Sequence, residues 1–406
     1  MGRIIQGIVF IALVFLVELY FNKKLQRSVR HVFKIKKIKR GFIIIPLVVL
    51  NIYPVFLFSA WSLAGITNSP VLIPENVFFD YLVIYPFWLM ILISVQCGLF
   101  FLILDVFNLF TLPFKKIRQK AYAAESKIIF IIILVFIIYV PFRVIYDYNA
   151  VQVRTVNFVK SGLPEKLNGF RIVFISDIHA DRYTDETRLQ KFINDVNAAK
   201  PDLVLAGGDM ISSTPEYIDI AAEYMGKIKS RYGVFSCVGD HDNWAYRRNY
   251  DKSLRKIEKA LNDYNVKMIN DSSIVLNIKN SPVKITFITD TYVERIPGRL
   301  LDSLTADTSG CGLKILLIHQ PGQSVVARAA DTGYDLFLAG HTHGGQITFL
   351  FPFKNLTPTL LETKYVRGNF RISKMLMIVT RGLGMSLVPV RYNSTPEVTV
   401  INIFGN

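Results

Sequence analysis

The stretch YDLFLAGHTHGGQ, residues 334–346, decides the fold and raises the question of function. Its apolar run ends at Gly340, and His341 and His343 follow, one residue apart. Continuous apolar runs of this length are typical of strands that are buried on both faces of a sheet. A loop histidine beside a solvated one is the ordinary explanation of such a pair. Because the chain has only six histidines, the positions of the other four test that explanation.

Three of those four histidines also follow apolar runs. His179 comes after RIVFIS (171–176), His241 after GVFSCVG (233–239) and His319 after LKILLI (313–318). With DLVLAGG (202–208), five predicted strands end in five histidines and four aspartates. Those aspartates are Asp177, Asp209, Asp240 and Asp242. Open α/β sheets build their sites at the carboxyl ends of their strands.

The second half of the chain predicts one layered α/β domain. From about residue 150, nine β-rich segments alternate with helical stretches near 185–199, 215–231, 251–264 and 322–332. Apolar strands that alternate with helices indicate a sheet covered on both faces. This length is sufficient for one sizeable core. We therefore expect a single domain over residues 150–406.

The first 149 residues predict a membrane anchor. The chain is 51% apolar, and the excess lies in four stretches close to the ~20 residues that cross a bilayer as a helix. The first stretch lacks a small-residue cleavage site and has three more behind it, so we interpret it as a retained span and not as a signal peptide. The predicted spans are 4–21, 42–64, 81–104 and 128–146.

The loops between these stretches predict their orientation. Residues 23–40 carry nine Lys/Arg and residues 113–127 carry five, whereas residues 65–80 carry none. By the positive-inside rule both basic loops are cytoplasmic. We therefore expect a multi-pass protein of the cytoplasmic (inner) membrane whose second half is extracytoplasmic.

The distribution of charge indicates the class of binding partner, and the cysteines indicate whether disulfides form. The net charge of +16 divides into +10 for residues 1–149 and +6 for the remainder. This distribution suits membrane lipids as partners and gives little support for nucleic-acid binding. Cys97, Cys237 and Cys311 form no disulfide framework, and we expect buried free thiols.

The donor atoms at the strand ends favour a metal centre. Imidazole and carboxylate ligands together suit Mn, Fe or Zn. Seven such ligands exceed what one ion needs, and one carboxylate can bridge two ions. Two ions about 3.5–4 Å apart stabilise both the attacking and the leaving oxygens in a phosphoryl displacement. We therefore predict two divalent metal ions per chain.

The order of these residues resembles a known family. The segments Asp177-x-His179, Gly208-Asp209, Gly239-Asp240-His241-Asp242, His319 and Gly340-His341-Thr342-His343 are similar to the five blocks of the calcineurin-like metallophosphoesterase superfamily. The match covers roughly residues 165–405. GHTHGGQ, with RGLG (381–384) and PE (396–397), is similar to its bacterial membrane-associated branch. The resemblance implies a four-layer α/β/β/α sandwich, preceded here by an α-helical membrane region of four spans.

The resemblance also implies a role for each position. One metal would take Asp177, His179, Asp209 and His343. Asp209 would bridge to a second metal, which would also take Asp240, His319 and His341. His241 would be an unliganded catalytic histidine that stabilises charge or protonates the leaving oxygen, with Asp242 orienting it.

One position departs from the family pattern, and four others have a weaker basis. The family has asparagine where this chain has Asp240, and the added negative charge should tighten the second cation and reduce its Lewis acidity. Arg182, Asn243, Gln346 and Arg381 lie near the blocks and are predicted substrate contacts. A solvated loop residue is an equally good explanation for each.

These features together predict a membrane-anchored, metal-dependent phosphoric ester hydrolase. Its substrate would be a phosphomonoester or phosphodiester, and the anchor favours a phosphorylated lipid or an envelope glycoconjugate. Two alternatives stay open. One is a metal-binding sensor or scaffold in which Asp240 has weakened catalysis, and the other is a nucleotide phosphodiesterase or nuclease that uses the same site.

Overall fold

The chain forms two compact units. A computed structural model describes residues 2–67, 76–111, 113–306 and 310–406. The helical unit comprises Met1–Ile145 together with Phe349–Leu356, and the α/β unit comprises Tyr146–Thr348 with Thr357–Asn406. The division falls four residues before the expected boundary. No pattern in the sequence predicted that segment 349–356 belongs with the helices.

Among the described residues, the helical unit contains four long helices, one short helix (α3) and a π-helical turn. The π-helical turn, Asp80–Ile84, joins the short helix to α4. Pro46 and Pro54 lie inside α2, and Pro141 lies inside α5. The helices are α1 (Gly2–Val32), α2 (Gly41–Thr67), α3 (Val77–Phe79), α4 (Tyr85–Leu109) and α5 (Lys115–Asn149).

The prediction of four spans is supported for two of them. Among the described residues, Val77–Leu109 and Lys116–Asn149 are long and apolar enough to cross a membrane. The apolar part of α2, Ile44–Ala60, is at the lower limit of the roughly 17–25 residues that cross a bilayer. Helix α1 continues past its apolar half into a run of charged residues. Half of the loop 65–80 lies outside the described residues.

The α/β unit contains two six-stranded sheets. In the first sheet the strand order is β1-β12-β2-β3-β4-β5, and in the second it is β10-β11-β9-β8-β7-β6. The first-sheet strands are β1 (Gln152–Lys160), β2 (Phe170–Ile175), β3 (Leu203–Ala206), β4 (Val234–Ser236), β5 (Val266–Met268) and β12 (Glu397–Gly405). The second-sheet strands are β6 (Ser272–Ile278), β7 (Ser281–Ile288), β8 (Leu313–Ile318), β9 (Leu336–Ala339), β10 (Gly368–Ile372) and β11 (Met375–Val379).

Each sheet combines a run of parallel strands with antiparallel pairing beside it: one antiparallel pair in the first sheet and two in the second. Strands β2 to β5 are parallel, and β12 pairs antiparallel with β2. In the second sheet β7, β8, β9 and β11 are parallel, while β6 and β10 are antiparallel edges. Buried strands on both faces explain the continuous apolar runs.

The mixed α/β class is confirmed, and three apolar layers separate the two sheets and the helices that cover them. Alternate residues of β2 point to opposite sides, so Val173 packs with the helices and Phe174 packs between the sheets. The outer face of the second sheet is covered in the same way, with Leu316 against Val325 of α10. The covering helices are α6 (Glu186–Ala198), α7 (Ile218–Gly226), α8 (Tyr250–Asp263), α9 (Gly298–Ala306) and α10 (Gln323–Asp331).

Candidate metal centre

Three side chains form the first ligand group, defined as Asp177, His179 and His343. Asp177 and His179 follow β2, and His343 follows β9, so the two sheets contribute jointly. The Nε2 atoms of His179 and His343 lie 3.1 Å apart, and His343 Nε2 is 3.7 Å from Asp177 Oδ1. All three residues are buried. Their donor atoms converge closely enough to hold one cation.

A second ligand group consists of Asp240, His319 and His341. Asp240 follows β4, whereas His319 and His341 follow β8 and β9. Asp240 Oδ2 is 2.9 Å from His341 Nδ1 and 3.3 Å from His319 Nε2. These three donors also converge on one point.

Asp209 lies between the two ligand groups. Its Oδ2 atom is 3.3 Å from His179 Nε2 and 3.3 Å from His319 Nε2, so one carboxylate oxygen faces one histidine of each group. The other oxygen, Oδ1, accepts a hydrogen bond of 2.8 Å from the backbone N–H of His241. This is the geometry of a bridging carboxylate.

The backbone is bent sharply at the ligands. Left-handed φ values are uncommon for residues with a side chain and concentrate at functional sites. Five of the seven ligand residues adopt them, with φ between 47° and 70°: Asp177, His179, Asp209, His341 and His343. A Cβ on Gly239 would lie 2.2 Å from the backbone nitrogen of Asp209, so only glycine allows these two loops to approach.

The second ligand group lies in a strongly acidic environment. Burial by itself lowers the pKa of His319, but the carboxylates of Asp209 and Asp240 outweigh burial and hold this pKa well above its usual range. Burial also lowers the pKa of His341, and hydrogen bonds to Asp240 and Glu362 outweigh it and raise the value to about 9. This half of the site therefore requires added positive charge.

The first ligand group has the opposite environment. Burial, the neighbouring His179 and the guanidinium of Arg391 hold the pKa of His343 well below its usual range. Arg391 Nη2 lies 3.2 Å from His343 Nδ1. Burial lowers the pKa of Arg391 to about 9, so the group is still a cation at neutral pH.

The donors fit divalent cations. His319 Nε2 is buried and has no hydrogen-bond partner in the described part of the chain, although two carboxylates lie 3.3 Å away. Its Nδ1 lies 2.7 Å from the backbone oxygen of Gly207, which can only accept a hydrogen bond. Nδ1 therefore carries the proton and Nε2 is available as a ligand. Imidazole and carboxylate donors in this arrangement suit Mn, Fe or Zn.

His241 lies beside the ligands but is held by neutral groups. Its Nδ1 contacts the backbone oxygen of Ser212, and its Nε2 lies 3.1 Å from Ser386 Oγ. Its ring is 4.7 Å from that of His179, centroid to centroid. Burial lowers the pKa of His241 to about 4, so the ring is neutral at pH 7 with its proton on Nδ1. Nε2 is therefore able to accept a proton.

Asp242 has a different set of partners from the expected one. Its carboxylate accepts hydrogen bonds of 2.8–2.9 Å from the backbone N–H groups of Asp209, Met210 and Gly239. It fixes the loops after β3 and β4, while Ser212 and Ser386 hold the His241 ring. Burial and the charge of Asp209 raise the pKa of Asp242 to about 6.

The four predicted substrate contacts have mostly structural partners. Asn243 Nδ2 donates to the backbone oxygen of Gly239, and the guanidinium of Arg182 stacks on Tyr183. Arg381 Nη1 donates to Gln152 Oε1 over 3.3 Å. Gln346 is part of the wall of a cavity at the site, although its amide is hydrogen-bonded to backbone. Their contact with substrate stays a prediction.

Four residues around the site had been missed or underweighted at the sequence level. Gln320 Nε2 donates to both oxygens of Asp240 over 2.9 and 2.8 Å, and the backbone N–H of Tyr292 donates to Asp240 Oδ1 over 2.7 Å. Glu362 Oε1 lies 2.8 Å from His341 Nε2. With Arg391, these side chains surround the ligands. Glu362 is 19 residues from the nearest ligand along the chain, and no motif marked it.

A cavity of about 350 Å³ opens onto the ligands. Asp209, Asp240, His341 and His343 contribute to its wall, and so does His241. Its wall also includes aromatic and aliphatic side chains from several loops: Trp244, Tyr292, Ile347, Pro358, Leu387 and Val388. The cavity therefore combines polar ligand residues with apolar wall residues.

Comparisons with known proteins agree with this geometry. The sequence profile of the calcineurin-like phosphoesterases matches residues 170–345, which contain all seven ligand residues. The uncharacterized metallophosphoesterase YkuE of Bacillus subtilis is 30% identical over 255 residues, which cover 61% of this chain and 84% of that protein. The chain belongs to the calcineurin-like phosphoesterase family. The predicted class of enzyme, a metal-dependent phosphoric ester hydrolase, is confirmed at the level of the family.

Two further relatives extend the comparison. A transmembrane protein with a metallophosphoesterase domain from Danio rerio is 32% identical over 248 residues. The match covers 59% of this chain and only 54% of that relative's length. Phosphodiesterase YaeI of Escherichia coli is 25% identical over 236 residues, 58% of this chain and 82% of that protein. With the two apolar helices, the similarity to the transmembrane protein of Danio rerio indicates membrane association.

Proposed function

We propose that this protein is a membrane-anchored phosphoesterase that uses two divalent cations to hydrolyse a phosphomonoester or phosphodiester. The observation that carries the proposal is the convergence of seven ligand residues from five strand ends, four of which line one open cavity. The first ligand group would hold one cation and the second ligand group the other. Asp209 would contact both.

Bound cations would neutralise charge on the phosphoryl oxygens, which is the usual contribution of a two-metal site. The remaining work falls to residues of this chain. Hydrolysis breaks one P–O ester bond, adds water to phosphorus and leaves a proton to be delivered to the departing oxygen. His241 Nε2 faces the cavity and is free of a proton at rest, so it is placed to take one up and pass it on.

The test of the proposed activity uses the full-length chain in detergent. We expect turnover of bis(p-nitrophenyl) phosphate with Mn²⁺ and loss of turnover with EDTA. Binding of two ions without turnover would favour the sensor or scaffold instead. Turnover confined to nucleotides or nucleic acid would favour the nuclease alternative.

The proposed substrate class is a phosphorylated lipid or an envelope glycoconjugate. Support comes from the two apolar helices in the same chain, since a tether raises the rate of encounter with membrane-bound molecules. The apolar residues of the cavity wall suit an amphiphilic substrate better than a nucleotide. A panel of phospholipids and lipid-linked sugars, with the released head groups identified by mass spectrometry, tests this class.

We further propose that all four long helices span the membrane. Contacts at one end of the helical unit support this topology. Lys24 Nζ lies 2.8 Å from Glu125 Oε1 and also contacts Asp105, so the second half of α1, the end of α4 and the start of α5 lie together. The two basic segments, 23–40 and 113–127, are therefore attached to the same end of the bundle.

The opposite end of the bundle has its own contacts. The ring of Tyr53 in α2 packs against that of Phe87 in α4 in a tilted arrangement, with centroids 5.0 Å apart, and Phe56 contacts Phe79. Helices α1 and α4 thus run in one direction and α2 and α5 in the other. This supports cytoplasmic basic loops and an extracytoplasmic α/β unit.

Reporter fusions test the topology. A reporter that is active only outside the cytoplasm is fused after residue 150 and, separately, after residue 406. We expect activity at both sites. Activity of a cytosolic reporter at the same two sites would place the metal centre inside the cell and overturn the lipid and envelope substrate class.

A further inference from the structure

Two leucines are exposed at the entrance of the cavity. Leu361 and Leu387 are each 95% exposed, which is far more than such large apolar side chains usually are. They belong to different loops. Leu387 lines the cavity together with its neighbour Val388, and Leu361 lies between the lining residues Thr359 and Glu362. We define these two leucines as the rim.

The loop that carries Leu387 holds this residue in an exposed turn. Leu387 has a left-handed backbone with φ of 64°, which is costly for a leucine. The amide of Gln346 holds the loop on both sides of it, because Nε2 donates to the backbone oxygens of Ser386 and Val388 over 2.9 and 3.0 Å. Oε1 of Gln346 accepts from the backbone N–H of Ser386 over 2.9 Å. Leu387 is therefore fixed in a turn and exposed by it.

The chain connects residues of the cavity wall directly to the helical unit. The wall residues Ile347 and Pro358 flank segment 349–356, which belongs to the helical unit. Inside that unit the buried Gln96 of α4 donates to the backbone oxygen of Leu350 and accepts from its N–H, each over 2.9 Å. Helix α5 also leads into β1 after only two residues. Only a few residues of chain therefore separate these wall residues from the helical unit.

We propose that the rim inserts into the boundary between the head groups and acyl chains of a phospholipid bilayer. The phosphate of a membrane lipid then reaches the ligand groups while its acyl chains stay in the bilayer. Insertion removes two exposed leucine side chains from water, which is favourable. The partner that contacts the rim is the surface of the phospholipid bilayer. This inference rests on the proposed phosphoesterase function and names its substrate as a bilayer phospholipid.

A fluorescence experiment tests the insertion without relying on turnover. The full chain is placed in phospholipid nanodiscs, with Cys311→Ser as background because Cys97 and Cys237 are buried. The environment-sensitive dye NBD is attached at Leu387→Cys or, as a matched control, at Val275→Cys on the edge strand β6, where Val275 is also exposed. We expect a blue shift and quenching by spin-labelled lipids at 387 only. Equal exposure of both dyes to water would overturn the inference.

A turnover ratio tests its consequence for substrate choice. Leu361→Ser and Leu387→Ser should lower hydrolysis of a bilayer phospholipid, relative to a soluble phosphodiester, by on the order of tenfold. Val275→Ser should leave the ratio unchanged. An equal loss on both substrates would refute the rim and keep the phosphoesterase. If the wild-type chain with Mn²⁺ hydrolyses neither substrate, the proposed function fails, and the quenching result still decides whether the rim meets lipid.

Discussion

The two ligand groups use similar donors but lie in opposite electrostatic surroundings. Behind His343 of the first group lies the buried guanidinium of Arg391. Behind His341 of the second group lies the carboxylate of Glu362, and the group contains an aspartate where the family has asparagine. The pKa of His343 is accordingly depressed, whereas that of His341 is raised.

This difference shows that the two cation sites need not be equivalent. A cation in the second ligand group is held by more negative charge than one in the first ligand group. We therefore expect the second cation to bind more tightly and to leave last when the metals are removed. Four substitutions break or sharpen the contrast, in order of decreasing effect.

Replacing the shared ligand removes the contrast altogether. Asp209→Asn keeps the shape of the side chain and removes the charge that faces both groups. We expect loss of both ions and a fall in kcat beyond the ~10⁴-fold that loss of a single proton-transfer group causes, because both cations would contribute electrostatic stabilisation. Elemental analysis measures the ions. The control, Asp219→Asn on exposed α7, should keep both; retention of two ions in Asp209→Asn would contradict the bridging assignment.

The His241→Ala variant tests whether His241 is an additional ligand of the first ligand group. Its ring lies near His179 and Asp209, so a role as a ligand is geometrically open. We expect His241→Ala to keep two ions and to lower kcat by ~10²–10⁴, the range of a proton-transfer group. Measuring metal content beside kcat separates the roles. If an ion is lost together with the histidine, His241 belongs to the first ligand group.

Asp240→Asn makes the two groups more alike. The substitution restores the family residue and removes one negative charge beside His319 and His341. We expect the second ion to bind at least about tenfold more weakly, with equal or higher activity at saturating metal. Competition against a chelator measures the affinity. Tighter binding by the Asn variant would refute the electrostatic account.

Glu362 gives the smallest expected effect. It contacts the ring nitrogen of His341 that faces away from Asp240 and is half exposed, so screening by water weakens its influence. Glu362→Ala should weaken the second ion by about tenfold or less, and Glu362→Gln should recover part of the loss by restoring the contact. Equal affinity in the wild type and both variants would show that Glu362 does not position His341.

The residues that converge as candidate metal ligands, and the mixed α/β fold class, were predictable from sequence. Each ligand directly follows an apolar strand, and the period of apolar residues marks a buried strand without knowledge of its neighbours. Strands β1 and β10 escaped prediction because they alternate and lie at sheet edges, where the apolar signal is weaker, and β12 was missed because polar residues interrupt its apolar run. Helix α9 was missed as well. The sequence predicted four membrane spans, but only two of the described helices are long and apolar enough to cross a membrane. A run of apolar residues does not show where a helix continues into charged residues.

The sequence by itself determined which atoms are offered to the metals, because side-chain chemistry is local. It also determined that they lie at strand ends. Only the tertiary structure decided which residues stand behind them. Glu362 reaches His341, Arg391 reaches His343, and Gln320 reaches Asp240 over 80 residues of chain. The pairing of β12 between β1 and β2 is of the same kind, since it joins residues more than 200 positions apart. Such contacts depend on the closure of long loops around a common core, and no local pattern encodes them.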